Sequence, residues 1–143
     1  MKVMELIEQK IQQLIEQFVN SKDMSSFDDE AQFRTALSRY LSTHGVSNIE
    51  EADVEIGKDC KYRCDIMAHI GDEYIPIELK LNNASIDEYE EDEKKCEQYV
   101  DAFRDVNYAF CVFVSNIEHV GYYQEQWKIC ANSIGYKYLI LLS

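Results

Sequence analysis

A chain of 143 residues, 46% of them hydrophobic, is one domain of ordinary size and long enough for a real core. No stretch approaches the roughly 18–20 apolar residues of a membrane span, and the opening MKVMELIEQKIQQLIEQF is amphipathic and carries glutamates, unlike a signal or transit peptide, so the cytoplasm is the expected compartment. A net charge of −13 argues against holding nucleic acid through the general surface, because such binding neutralises phosphates with Lys and Arg.

Much of the acid is local. Asp87, Glu88, Glu90, Glu91, Asp92, Glu93 and Glu97 form one run, whereas Lys58, Lys61 and Arg63 lead into the segment bearing Asp65. The five cysteines, Cys60, Cys64, Cys96, Cys111 and Cys130, are odd in number and lack framework spacing. Cys111 and Cys130 fall in apolar contexts and read as small buried hydrophobes of a reducing compartment. A zinc site from Cys60 and Cys64 with His44 or His69 is disfavoured, since no second close pair completes it.

Taken in order, Val3, Leu6, Ile7, Ile11, Leu14, Ile15, Phe18 and Val19 recur at helical spacing and predict an amphipathic helix over 3–20, whose stripe serves core packing or, where exposed, a dimer. A polar connection follows, and Asp28 or Asp29 can cap a second helix over 29–43 that turns Phe33, Ala36, Leu37, Tyr40 and Leu41 inward and stops near Gly45. Ala52, Val54 and Ile56 alternate in a strand over 49–56. After a hairpin over 62–81 and a loop at 82–85, residues 86–104 read as a helix with an acidic outer face and Tyr89, Cys96, Tyr99, Val100 and Phe103 toward a sheet. A buried strand over 107–115, a helix over 122–134 with Trp127, Ile129 or Cys130, and Ile134 inward, and a strand over 136–142 complete the chain. This order predicts an α/β fold with a mixed central sheet, an antiparallel meander plus parallel strands, flanked by helices in a single domain: helix 1–20 and a core over 26–143.

The hairpin YRCDIMAHIGDEYIPIELKL organises the rest. Cys64, Ile66, Ala68 and Ile70 alternate onto one face of its first strand, and Ile75, Ile77, Leu79 and Leu81 onto one face of its second. Gly71-Asp72 suits a two-residue type II′ turn, which sets residue 70 opposite 73, 66 opposite 77, and Asp65 opposite Glu78. Paired carboxylates would lie about 4.5–5.5 Å apart at Cβ and repel by roughly 3 kcal/mol at an effective dielectric near 20. Lys80 on the same face, or a divalent cation between the carboxylates, would relieve that repulsion. A turn two residues longer would set Asp65 opposite Lys80 instead and keep all three side chains on one face. The cluster is expected on the side of the hairpin that does not pack into the core. A solvated strand face is the plain alternative, but Glu78 and Lys80 interrupt the apolar run IPIELKL and Asp65 is mid-strand, and interior charges need partners. Pro76 removes one ladder donor and calls for a bulge or a late start to the next pairing. Glu30 and Arg34, one helical turn apart, form an exposed ion pair, or Glu30 brings a third carboxylate to the hairpin.

The element order, with Asp65, twelve intervening residues and Glu78-Leu79-Lys80, resembles the PD-(D/E)XK nuclease superfamily over roughly residues 26–142. The resemblance implies a restriction endonuclease-like αβββαβ core and a metal-dependent endonuclease acting on phosphodiester bonds, in DNA first and RNA second. It implies that Asp65 and Glu78 bind Mg²⁺ or Mn²⁺ with the Leu79 carbonyl, that Lys80 orients or polarises the attacking water, and that Glu30 and Gln98 match the acidic residue and glutamine that members carry on flanking helices. Cys64 stands where many members have proline. The alternative from another class is a catalytically silent protein of the same fold, of inhibitor or immunity type, whose acidic helix over 86–97 meets a basic protein partner. A homodimer module built on helix 3–20 would explain the apolar stripe but not Asp65 and Glu78.

Overall fold

The computed structural model describes residues 2–21, 29–57, 60–80, 86–107, 109–115 and 137–142. The elements are α1 (Lys2–Ser21), α2 (Glu30–Thr43), β1 (Ser47–Ile56), β2 (Cys60–Ile70), β3 (Glu73–Lys80), α3 (Ile86–Ala102), β4 (Phe110–Ser115) and β5 (Lys137–Leu142). The expected helix over 122–134 and loop at 82–85 lie outside the described residues. Among those described, the strands form one sheet in the order β1-β2-β3-β4-β5. Antiparallel pairing joins β1 to β2 and β2 to β3, and parallel pairing joins β3 to β4 and β4 to β5. The chain is therefore α/β with a mixed sheet. No helix among the described residues is long and apolar enough to cross a membrane.

The apolar stripe of α1 is core: Ile11, Ile15, Phe18 and Val19 are buried with Phe33, Leu37 and Leu41 of α2 against Ile66, Ala68, Ile75, Ile77 and Leu79 of the hairpin. Each such side chain contributes about 1.5–3 kcal/mol over its exposed state. The opposite face of the sheet carries a smaller core in which Tyr99 of α3 packs on Val54, Cys64 and Val106.

Caps delimit α2. Asp29 is its N-cap, accepting a 2.9 Å bond from the Gln32 N–H. At the other end the Gly45 N–H bonds the Ser42 carbonyl and the Val46 N–H bonds the Leu41 carbonyl, a Schellman closure with Gly45 at φ +85°. Gly45→Ala is expected to cost about 1–2 kcal/mol, because a Cβ disfavours this left-handed backbone. Chemical denaturation of the two proteins checks it.

The hairpin has the register counted from its turn: Ile70 pairs with Glu73 and Ile66 with Ile77, and Gly71 has φ +60° as a type II′ turn requires. Pro76 needs no bulge. It pairs with Met67 on the β2 side, and the β3–β4 ladder begins only at Ile77. On that same edge the Tyr74 N–H finds the Asp105 carbonyl at 2.9 Å, so the imide nitrogen falls just outside the ladder.

One expectation about faces is corrected. Cys64 does not share a face with Ile66 and Ala68; it belongs to the α3-side core with Val54. The register between β1 and β2 runs without an inserted residue from Glu50–Ile66 to Ala52–Cys64, but Glu51 between them has φ +50°, which breaks the pleat. Adjacent Glu50 and Glu51 consequently both reach Arg34 of α2, at 3.2 and 3.5 Å. Thr35 donates to Glu50 as well, at 2.8 Å, and Ser38 bonds Asn48, so α2 is clamped along β1.

Candidate functional site

The pleat break runs on into β3. The ladder between β2 and β3 ends at Ile66–Ile77, and the next inward N–H, that of Leu79, is taken at 2.7 Å by Asp65 Oδ2 instead of a strand carbonyl. The two strands part where Asp65 and Glu78 stand opposite each other. The two carboxyls are close enough for the Asp65 charge to raise the Glu78 pKa.

This site is not on an open face, contrary to expectation. α3 roofs it, and Glu78 is only 1% exposed. Glu78 Oε1 accepts the Tyr99 hydroxyl at 3.0 Å and the Lys95 ammonium at 3.2 Å. Burial, reinforced by the Asp65 charge, pushes the Glu78 carboxyl up to about 9, while Lys95 opposes the shift. The same proximity to Glu78, after burial, raises the Tyr99 phenol.

Lys80 emerges beside Glu78 and is half-buried. Burial lowers its pKa, but Asp92, Glu30, Asp65 and Glu88 outweigh that and leave it raised, so its ammonium sits among carboxylates from α2, β2 and α3. Glu30, the first residue of α2, thus acts electrostatically at the hairpin, and Arg34 is engaged with β1. Gln98 is exposed and lies near Tyr62, opposing the upward shift of that phenol. Leu79 meets the site through its N–H.

Asp92 and Lys95 escaped the sequence reading, which assigned the acidic run of α3 to its outer face. Asp92 is 6% exposed, and its Oδ2 is buried with no hydrogen-bond partner. Burial pushes its carboxyl up to about 7, against the pull of Lys80 and Lys95 and with the push of Asp65 and Glu30. Asp92, Cys96, Tyr99 and Phe103 recur at helical spacing, so a carboxylate inside an apolar stripe was the available signal. Lys95 is fixed by its bond to the Arg63 carbonyl at 3.2 Å and by the Tyr62 ring, 5.7 Å from Nζ.

The basic approach to the site is neutralised. Lys61 lies 3.3 Å from Glu55 and Arg63 3.7 Å from Asp53, exposed pairs contributing about 0–1 kcal/mol of stability but cancelling the local charge. A cavity of about 370 Å³, lined by Ala52, Val54, Met67, Phe103 and Val106 with Asp53, Glu55 and Asp105 at its polar part, does not include Asp65, Glu78 or Asp92.

Among the described residues, no three His, Cys, Asp or Glu side chains are arranged to hold a metal ion. The donor set nevertheless fits a small hard cation. Mg²⁺ takes one or two carboxylates and completes its shell with water and substrate oxygens. Glu30, Asp65, Glu78 and Asp92 outnumber Lys80 and Lys95, and an orphaned oxygen of Asp92 remains.

No family model matches the chain, and no curated protein does. Among solved structures it is similar to the crystal structure of AF1548, a protein of unknown function, with 18% identity and a TM-score of 0.49 over 78% of this chain. The match covers 58% of that protein, under two thirds of its length.

Proposed function

We propose that the chain is a metal-dependent phosphodiesterase of the PD-(D/E)XK type acting on DNA. The observation that carries the reading is the juxtaposition of Asp65 and Glu78 where β2 and β3 part, with Lys80 beside them. The αβββαβ order of α2 through β4 and the charge of Glu30 at the same point support it.

In this reading Asp65 and Glu78 hold Mg²⁺ or Mn²⁺ with the Leu79 carbonyl. When bound, the metal supplies Lewis acidity and lowers the pKa of its water. The chain's own residues do the rest. Lys80 keeps its proton, because carboxylates surround it, and presents a fixed positive charge that orients the attacking water and the phosphate. Glu30 and Asp92 hold that ammonium in place. Glu78 enters the working state by losing its proton, and α3 excludes bulk water above it.

Calorimetric titration with Mn²⁺ and Mg²⁺, on the native protein and on Glu78→Ala, tests this together with plasmid cleavage. Metal binding lost in the variant, with cleavage lost in parallel, is the expected result. Absence of binding at millimolar metal overturns it. That outcome would favour a silent interaction protein, for which the exposed Glu88, Glu90 and Glu91 of α3 would meet a basic partner.

A further inference from the structure

We propose that Lys95 is a resident cation at the Glu78 carboxyl, whose charge opposes the entry of a divalent metal to the site. The inference rests on the reading of Asp65 and Glu78 as metal ligands and adds how that site is controlled. Lys95 Nζ lies 3.2 Å from Glu78 Oε1 and 3.2 Å from the Arg63 carbonyl, with the Tyr62 ring on its flank. Its side chain is 22% exposed, so an ammonium largely withdrawn from water is held by contacts from β2, β3 and an aromatic face. Such placement is built into the fold.

Glu78 Oε1 already accepts two bonds, from Tyr99 and from Lys95. That oxygen has two lone pairs, so a metal ligated there replaces one donor, and a metal ligated through Oε2 still meets the Lys95 charge on the same carboxyl. Of the two, Lys95 carries the charge, and a monovalent and a divalent cation on one oxygen repel each other strongly in a site shut off from water. Lys95 also has somewhere to go. Asp92 lies three residues earlier on α3, on the same helix face, and its buried Oδ2 has no partner. Metal entry would thus be coupled to a swing of Lys95 from Glu78 toward Asp92. Without metal, Lys95 occupies the position beside Glu78.

The test is Mn²⁺ affinity, read by calorimetry and by the loss of the free-ion electron paramagnetic resonance signal, on the full chain. Lys95→Met keeps the apolar stem over Tyr62 and removes the charge; it is expected to bind Mn²⁺ at least about ten-fold more tightly than the native protein. Lys95→Arg, which retains the charge, is expected to stay at native affinity or below. Should Lys95→Met fail to fold, Lys95→Gln gives the same comparison. Equal or weaker binding by the neutral variant, with native binding still abolished by Glu78→Ala, overturns the role of Lys95 and leaves the metal site standing. Absence of Mn²⁺ binding in both native and neutral variants overturns the metal site and this inference with it.

Discussion

In metal-free buffer the protein is expected to lose stability as the pH rises from about 4.5 to about 9, and Glu78→Gln is expected to remove most of that slope. The folded carboxyl holds its proton up to about 9, whereas the unfolded one releases it near 4.5. Between those values the native state binds more protons, so the contribution is fully present below the unfolded pKa and is lost as pH climbs through the folded one. At about 1.4 kcal/mol per pKa unit, the loss is on the order of 5 kcal/mol, large against total stabilities of about 5–15 kcal/mol. Asp92, ordinarily near 3.8 and raised to about 7, pulls in the same direction. Glutamine mimics the protonated acid: its carbonyl accepts from Tyr99 and Lys95, and its amide donates to Asp65. Denaturation midpoints of both proteins at about pH 5, 7 and 9 measure the effect; parallel slopes would count against it. Under the proposed function, saturating Mn²⁺ at neutral pH should release about one proton per site, because a ligating carboxyl must ionise. Titration in buffers of different ionisation enthalpy reads that release.

The second large effect lies in the core that seats α2. Phe33 is fully buried, with its ring centroid 6.0 Å from that of Phe18 on α1. Phe33→Ala is expected to cost about 3–5 kcal/mol, from lost transfer energy and from the cavity that α1 and the sheet cannot fill. Phe33→Leu, which restores most of the volume, should cost closer to about 1 kcal/mol. Glu30 is three residues away on the same helix, so a loosened α2 also weakens the negative field on Lys80. Denaturant unfolding measures the first effect, and the apparent pKa of Lys80 by nuclear magnetic resonance measures the second. A loss under about 1 kcal/mol for the alanine variant would mean that the α1–α2 layer is not packed as described.

Features that depend on near neighbours along the chain were legible in the residues alone. The Asp28-Asp29 pair and Gly45 announced the ends of α2, because a side-chain acceptor and a left-handed residue satisfy backbone groups only a few residues away, and the structure chose Asp29. Gly71-Asp72 and the alternation flanking it set the hairpin register, so the meeting of Asp65 and Glu78 could be counted from the turn. Pro76 likewise signalled the late start of the β3–β4 ladder. The tertiary structure alone decided which side chains the charges meet. No Gly or Pro marks Glu51, yet its positive φ breaks the pleat and sends Cys64 to the α3 face. Lys95 and Asp92 lay hidden in a charged helical run, because a helix pattern says which residues share a face but not what that face covers. Alternation marked Glu78 as polar; only the packing of α3 on the sheet made it a buried acid beside a lysine of that helix, and burial is what turns an ordinary carboxylate into a group of altered chemistry.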